Sequence, residues 1–155
     1  MLEIKKCSTA SDYGCARQVT DDYLAWLELD LSFQGIDREL AEFSSMYGPP
    51  DGLFLLAMSG GEPAGGVGLR SLGEGVCEMK RLFVYDRFKG RKVGWSLCIR
   101  LIEEARQLGY EKMRLDTLAR MESAIGLYMS LGFREIAAYR FNPDPTVRYM
   151  ELSLK

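Results

Sequence analysis

The chain contains no histidine among its 155 residues. Catalytic sites that depend on an imidazole base, such as the Ser-His-Asp and Cys-His arrangements, are therefore excluded. Zinc sites that combine cysteine with histidine are excluded for the same reason. Acid–base chemistry near neutral pH must instead use carboxylates, tyrosine, lysine, cysteine or water.

Closely spaced cysteine pairs are also missing. The four cysteines, Cys7, Cys15, Cys77 and Cys98, include no C-x-x-C pair. Without such a pair and without histidine, the sequence predicts no bound metal. Cys98 lies on the apolar face of a predicted helix, where a buried, reduced thiol is expected.

Long apolar runs and an excess of positive charge are missing as well. No run approaches the roughly 20 apolar residues of a membrane span, and the opening MLEIKKCS lacks the apolar stretch of a secretory signal. The formal net charge of −2 disfavours nucleic acid as a partner. These features predict a cytoplasmic protein with neither membrane nor nucleic-acid partners.

What the chain does contain is the composition of one globular domain. Hydrophobic residues make up 47% and charged residues 27% of the sequence, which are ordinary values for a soluble fold. No linker, repeat or low-complexity segment interrupts it. We therefore expect a single domain over residues 1–155, of a common size.

Hydrophobic periodicity predicts the element order βααβββαβαββ. The expected strands cover 2–7, 52–59, 64–72, 76–84, 112–118, 133–139 and 147–154, and the expected helices cover 11–29, 36–47, 91–108 and 124–131. Thr9 or Ser11 is placed to cap the first helix. The strand–helix–strand unit over 76–118 requires a parallel crossover. The predicted fold class is therefore α/β, with a mixed central sheet flanked by helices.

Four basic residues and two glycines stand where the third predicted helix begins, in the stretch RFKGRKVGWSL, residues 87–97. The first turn of a helix has unpaired N–H groups and the positive end of the helix dipole. Basic side chains there are unfavourable to the helix itself, so their cluster indicates an anionic ligand. The stretch is neither a P-loop nor a dinucleotide fingerprint. The alternative is an ordinary helix start with a solvated basic loop.

Two segments resemble the GNAT superfamily of acetyl-CoA-dependent N-acetyltransferases. The run 78–110 contains six positions that match that family's Arg/Gln-x-x-Gly-x-Gly/Ala motif: Lys89, Gly90, Arg91, Lys92, Val93 and Gly94. The later DTLARMESAIGLYMSLGF, residues 116–133, resembles the family's second conserved block. Both motifs occur in the expected order of elements, so the resemblance covers nearly the whole chain.

The chain departs from the family pattern at three positions. Lys89 replaces the usual arginine or glutamine and keeps a positive charge, whereas Lys92 replaces the first motif glycine. Lys92 thus places a side chain where backbone usually meets the pyrophosphate. Met121 stands where the family often has asparagine. We expect weaker or altered CoA binding rather than none.

The resemblance implies direct transfer of an acetyl group from acetyl-CoA to a primary amine. It assigns the pantetheine arm to the backbone of Leu82, Phe83 and Val84, in a strand opened by a bulge. It makes Tyr128 the general acid that protonates the CoA sulfur, and Glu78 a candidate base acting through water. Two plain alternatives stay open, namely that Tyr128 is a core aromatic and that Glu78 is a strand carboxylate paired with basic neighbours.

Strand alternation predicts that Glu78, Lys80, Leu82 and Val84 share one face of the fourth strand. The first helices are expected to form one wall of the acceptor site. They would supply acidic and aromatic side chains that suit a cationic small-molecule or protein amine. These side chains are Asp21, Asp22, Tyr23, Trp26, Glu28 and Asp30, and Asp116 and Thr117 are further candidates to line the cleft.

Two other functions compete with the enzyme. A non-catalytic module of the same fold that binds acyl-CoA is favoured by Lys92 and Met121, because both change the usual site. A domain without any ligand is the second alternative, in which RFKGRKVG is only a helix start. The sequence leaves the oligomeric state open, a homodimer included.

Overall fold

The computed structural model describes residues 1–28 and 35–155. The strands are β1 (Leu2–Lys6), β2 (Leu53–Ser59), β3 (Glu62–Gly73), β4 (Val76–Val84), β5 (Lys112–Thr117), β6 (Arg134–Ile136) and β7 (Arg148–Ser153). The helices are α1 (Ala10–Leu27), α2 (Ile36–Ala41), α3 (Phe43–Met46), α4 (Val93–Gln107) and α5 (Glu122–Ser130), with a 3₁₀ turn over Asp86–Phe88. The α/β class is confirmed, and the predicted order of elements agrees except in one helix.

The second predicted helix is divided into α2 and α3. Glu42 lies between them with φ −110° and ψ 26°, outside the helical region. Beyond the break, the rings of Phe43 and Tyr47 pack at 4.9 Å from each other and within 6 Å of Phe54. The chain therefore leaves the helix where it joins an aromatic cluster that periodicity alone does not reveal.

The sheet has the strand order β1-β2-β3-β4-β5-β7-β6. Every neighbouring pair is antiparallel except β4 and β5, which run parallel on either side of the α4 crossover. This arrangement confirms the predicted mixed sheet and its antiparallel first half.

Apolar clusters cover both faces of the sheet. Along β2, Leu53 and Leu55 belong to the cluster that contains α4, whereas Phe54 and Leu56 belong to the cluster that contains α1. This alternation is the period of two expected of a strand covered on both sides. The sheet therefore forms the middle layer between two sets of helices.

Thr9 caps α1, one of the two residues predicted for that role. Its side chain accepts a hydrogen bond from the Asp12 backbone N–H at 3.0 Å, and Asp12 Oδ2 accepts one from the Thr9 N–H at 3.1 Å. This reciprocal pair is a capping box. Asp12 also forms an ion pair with Lys5 of β1 at 2.8 Å, which ties the helix start to the sheet.

Two observations concern the cysteines and membrane spans. All four cysteines are free thiols, and Cys98 is buried in α4 as predicted. Among residues 1–28 and 35–155, no helix combines the length and the apolarity required to cross a membrane.

Candidate active site

The site begins where β4 and β5 separate. Only Val76–Glu78 pair with Lys112–Arg114, and within the described residues the two strands are not paired beyond that point. A cavity of about 680 Å³ lies between their diverging ends. Residues 82–84 line one wall and residues 115–118 the other. The diverging strands thus leave backbone of β4 free to pair with a ligand.

A β-bulge shapes the β4 wall. Gly66 is opposite Phe83 and Gly68 is opposite Lys80, so one residue of β3 faces two residues of β4. Arg81 takes the positive φ of 61° at this bulge. Nearby, a Cβ on Gly65 would lie 2.3 Å from the Phe83 carbonyl oxygen, so only glycine allows this approach of β3.

The bulge corrects the predicted alternation along β4. Leu82 and Val84 pack with Met79 in the cluster that contains α4, rather than sharing a face with Glu78. Phe83 faces α1, where its ring lies 5.6 Å from that of Tyr23. The extra residue at the bulge shifts the alternation by one, and β4 itself contains no residue pattern that signals it.

The loop before α4 forms a second wall of the cavity. Of its six motif residues, all except Arg91 line the cavity. The Arg91 guanidinium lies instead 5.5 Å from the centre of the Phe88 ring. Gly90 takes φ 80°, and a Cβ on Gly94 would lie 3.5 Å from Leu127 of α5. The backbone of the loop, the first turn of α4 and the two lysine side chains therefore border the same cavity.

Lys89 connects this loop to α1. Its ammonium lies 2.9 Å from Asp86 Oδ1 and 5.4 Å from the centre of the Trp26 ring. Both are ordinary geometries for an ion pair and a cation–π contact. The cation–π contact thus joins cavity-lining side chains from two separate elements.

Lys92, which replaces a motif glycine, occupies the N-cap of α4 with φ 60° and no side-chain cap bond. This left-handed backbone suits glycine and strains other residues. Lys92→Gly is therefore expected to stabilise the fold by about 0.5–1 kcal/mol, measured by urea unfolding.

Lys92→Ala is the matched control for that measurement. It removes the same ammonium but keeps the strained backbone, so no gain is expected from it. An equal gain in stability in both variants would mean that loss of the ammonium charge, and not relief of backbone strain, causes it.

Tyr128, the predicted acid, lies on α5 and lines the cavity. Its side chain is buried and its ring packs 5.7 Å from that of Phe133. Burial raises the pKa of the phenol well above its usual value, and the nearby Cys98, Tyr23 and Asp116 raise it further. The phenol is therefore protonated at neutral pH and can only donate a proton there.

Glu78, the predicted base, is completely buried and does not line the cavity. Its Oε1 accepts from Arg70 Nε at 2.8 Å, and its Oε2 accepts from the Tyr139 hydroxyl at 2.7 Å and from Arg140. Burial opposes ionisation of Glu78, but the charges of Lys80, Arg140 and Arg70 outweigh it and lower the pKa. A carboxylate held by so many donors is poorly suited to accept a proton, so these contacts favour the structural alternative.

The side of the cavity that α1 lines differs from the acidic wall predicted for the acceptor site. Tyr23 and Trp26 line it, but Asp21 is paired with Arg17 and Asp22 accepts a hydrogen bond from the Tyr85 hydroxyl. Glu28 ends α1 outside the lining, and Asp30 lies outside the described residues. The acidic residues of α1 therefore do not form this wall.

Asp116 and Thr117 line the cavity, as predicted. The lining also includes residues to which the sequence assigns no role, among them Arg81, Arg120, Asn142, Pro143, Asp144 and Val147. Most of them lie in the two loops that follow β5 and β6. Loops carry no hydrophobic period, so no signal in the sequence places them here.

Comparison with known proteins agrees with this geometry. A model of the acetyltransferase (GNAT) family matches residues 20–133. An uncharacterized N-acetyltransferase of Schizosaccharomyces pombe is 37% identical over 155 residues, which cover 99% of this chain and 95% of that protein.

Solved structures share the fold. A GNAT-family acetyltransferase from Staphylococcus aureus has a TM-score of 0.82 at 22% identity, with 100% of both chains covered. The PaiA N-acetyltransferase of Thermoplasma acidophilum, solved in complex with coenzyme A, has a TM-score of 0.74 at 18% identity, with 99% of both chains covered. The family match over residues 20–133, together with the S. pombe relative, shows that this chain belongs to the GNAT acetyltransferase family.

Proposed function

We propose that the protein transfers an acetyl group from acetyl-CoA to a primary amine. One observation carries this proposal, which is that a single cavity joins the loop 89–94, the bulged end of β4 and Tyr128. Acyl transfer from CoA needs all three. The loop is a binding site for the phosphate anions, here called the anion seat, the end of β4 is a free backbone edge, and Tyr128 is a proton donor. Their convergence is more specific than any one of them alone.

The residues present fit coenzyme A. The unpaired edge of Leu82–Val84 can hydrogen-bond the pantetheine arm as an added strand would. The first N–H groups of α4, with Lys89 and Lys92, supply positive charge for the pyrophosphate. Bound there, acetyl-CoA supplies the activated acetyl thioester.

The chain's own groups support the chemical step. Backbone N–H groups at the end of β4 can polarise the thioester carbonyl, since charge develops on that oxygen. Tyr128 can then give its proton to the departing sulfur. The partly buried Tyr23 and the half-exposed Trp26 flank the space left for the amine, whose cationic form aromatic rings attract. The acceptor is a small-molecule or protein amine.

Calorimetry with acetyl-CoA and with free CoA, at low and raised salt, tests the anion seat. Gly90→Glu is expected to weaken binding by about tenfold or more, because a carboxylate beside phosphate is repelled. Native binding is expected to weaken as salt rises. Undiminished binding in the variant would place the phosphates elsewhere.

Gly61→Glu is the matched control. Gly61 has a similar φ of 82°, and a Cβ added to it would meet no atom within 4 Å, as at Gly90, but it lies in the β2–β3 turn outside the cavity lining. The same strain and the same charge are thus introduced away from the proposed seat. Equal losses in the two variants would indicate an effect on folding rather than on the site.

A binding module without turnover is the second candidate. Lys92 and Met121, two of the departures from the family motif, both line the cavity. Thiol release from acetyl-CoA, measured with a panel of primary amines, separates the two functions. Tight CoA binding without release for any amine would favour the module.

A further inference from the structure

The acceptor side of the cavity contains a carboxylate oxygen for which the fold provides no hydrogen bond. Asp116 lies near the end of β5, beyond the point where β4 and β5 separate. Its Oδ2 is buried and has no hydrogen-bond partner among the residues that the structure describes. Arg140 Nη1 lies 3.7 Å away, which is close enough for an ion pair but too far for a hydrogen bond.

Such an oxygen needs an explanation, because buried polar atoms in folded proteins are nearly always paired. The other buried carboxylates nearby are fully engaged. Glu78 accepts bonds from two arginines and a tyrosine, and Glu39 accepts them from Arg81 and the Tyr47 hydroxyl. Asp116 therefore differs from its neighbours in having acceptor capacity left for a ligand.

Its position suits the reaction. Asp116 lines the same cavity as Tyr128, and its charge acts on the phenols of Tyr128 and Tyr23. The two other carboxylates on the lining are less suitable. Glu122 is exposed on α5, and Asp144 Oδ1 already accepts bonds from the Thr146 N–H and hydroxyl.

We propose that Asp116 binds the acceptor's ammonium group and takes a proton from it before attack. This inference rests on the proposed acetyl transfer and assigns the proton acceptor that Glu78 is poorly placed to be. It also defines the substrate class as an amine that arrives protonated, with the charged nitrogen lying between Asp116 and the rings of Tyr23 and Trp26.

Atoms and charges balance in this step. One N–H bond of the ammonium breaks and its proton moves to Asp116, directly or through one water. The freed nitrogen lone pair forms the bond to the acetyl carbon, the carbon–sulfur bond breaks, and the sulfur takes the Tyr128 proton. The second nitrogen proton is then lost and restores the phenol, while Asp116 returns its proton to solvent.

Several charged or titratable groups face Asp116 from the surrounding elements. They are Arg140 beside β6, Tyr23 of α1, Tyr128 of α5, Tyr149 of β7 and Tyr139. Arg140 is the cation among them, and Glu78 also binds it. Replacing Asp116 with asparagine changes the charge beside Arg140 but leaves Arg140 its stronger partner.

The test is thiol release by Asp116→Asn with n-butylamine, cadaverine, tyramine and the α-amine of the peptide Ala-Gly-Gly. With every amine that the native protein uses, kcat/KM at pH 7 is expected to fall about tenfold or more, with acetyl-CoA affinity unchanged. Asp37→Asn, which removes an exposed carboxylate of α2 outside the cavity lining, is the control and is expected to keep the native kcat/KM.

The pH profile separates a proton acceptor from a structural residue. An alkylammonium loses its proton near pH 10, so the activity of Asp116→Asn is expected to recover toward the native value as pH rises. Its melting temperature is expected to stay close to the native value, because Asp116 Oδ2 makes no hydrogen bond to the described residues and Arg140 keeps its ion pair with Glu78. A loss that is constant with pH and accompanied by lower thermal stability would overturn the inference.

The inference and the proposed function can fail separately. Native-like turnover in Asp116→Asn would overturn the inference and leave acetyl transfer standing. No thiol release by the native protein with any amine would overturn acetyl transfer itself, and with it the role of Asp116.

Discussion

Tyr128→Phe is expected to lower kcat by about 100-fold or more, the range for loss of a general acid, while the affinity for CoA stays unchanged. The substitution removes only the hydroxyl. That hydroxyl makes no hydrogen bond to the residues described in the structure, so the fold is expected to keep its stability. The loss therefore falls on the chemical step, and steady-state thiol release together with calorimetry measures it.

The phenol is a suitable donor in this environment. Its pKa is raised well above the usual value by burial, which makes proton release less favourable. However, the same burial raises the basicity of a sulfur anion, as the neighbouring Cys98 shows, whose thiol pKa is raised to about 12 by burial. Burial thus shifts the pKa of the phenol and that of a buried thiol in the same direction.

The leaving group provides the decisive control. The thiolate of acetyl 4-nitrothiophenol is stable without a proton, so Tyr128→Phe is expected to transfer acetyl from this thioester at close to the native rate. Tyr13→Phe removes a hydroxyl that bonds the Tyr47 carbonyl outside the cavity lining, and it is expected to keep native kcat. Equal losses with both thioesters would mean that Tyr128 is a core aromatic.

The sequence predicts the fold well because the fold depends on local patterns. The periodicity of 91–108 and its closing Gly109 define α4 to within two residues, and the crossover rule then requires β4 and β5 to be parallel. Periodicity does not reveal the division of the second helix at Glu42, because that division follows from packing against Phe54, which is distant in sequence.

The sequence predicts residues of the site only where they belong to a motif of fixed spacing along the chain. The loop 89–94 and Tyr128 are recognised because the family motif has a fixed spacing. The sequence signal for the bulge at Arg81 lies in the glycines of the neighbouring β3, since Gly65 is needed where that strand approaches Phe83. Short motifs therefore predict residues of the proposed cofactor side better than residues of the proposed acceptor side.

Contacts between distant residues limit what the sequence can predict about the role of Glu78. Arg140 contacts Glu78 across 62 positions of the chain, and this contact is one of those that favour a structural role for the predicted base. The same arginine lies beside Asp116, the residue to which we assign the proton. No local pattern relates Arg140 to either carboxylate, so these roles become visible only in the folded protein.

Glu78→Gln is expected to destabilise the fold by about 3–5 kcal/mol, the usual cost of breaking a buried ion pair. Glu78 is the anion that Arg70, Lys80 and Arg140 share, with Lys80 Nζ at 3.9 Å from Oε1. Glutamine has nearly the same shape, but it removes the charge and turns an N–H₂ group toward the donors. Urea unfolding of both proteins at pH 7 gives the difference directly.

Glu151→Gln is the matched control. Glu151 accepts from Arg114 Nε at 2.8 Å, the same distance as between Arg70 Nε and Glu78, but its side chain is 19% exposed whereas that of Glu78 is 0% exposed. An ion pair open to water contributes about 1 kcal/mol or less. The comparison therefore contrasts a buried carboxylate that three cations share with a partly exposed one that pairs with Arg114 and Lys112.

The pH dependence of stability supplies a second signature. The pKa of Glu78 is lowered in the folded state, so its contribution is complete above the ordinary carboxyl pKa and is lost as pH falls below it. Burial lowers the pKa of Lys80 to about 8, and Glu78 opposes that shift. Between pH 8 and the ordinary lysine value of about 10.4, the unfolded chain binds more protons, so native stability is expected to rise with pH.

In Glu78→Gln, both limbs of this profile are expected to change. At acid pH, the free energy of unfolding falls less steeply as pH decreases, because the titrating carboxyl is gone. At alkaline pH, its rise begins at a lower pH, because Lys80 loses a nearby negative charge. A loss no larger than that of Glu151→Gln, with an unchanged profile, would show that the three cations are stabilised without Glu78. Its carboxylate would then again be a candidate for the base, and the case for Asp116 would have to rest on its own pH profile.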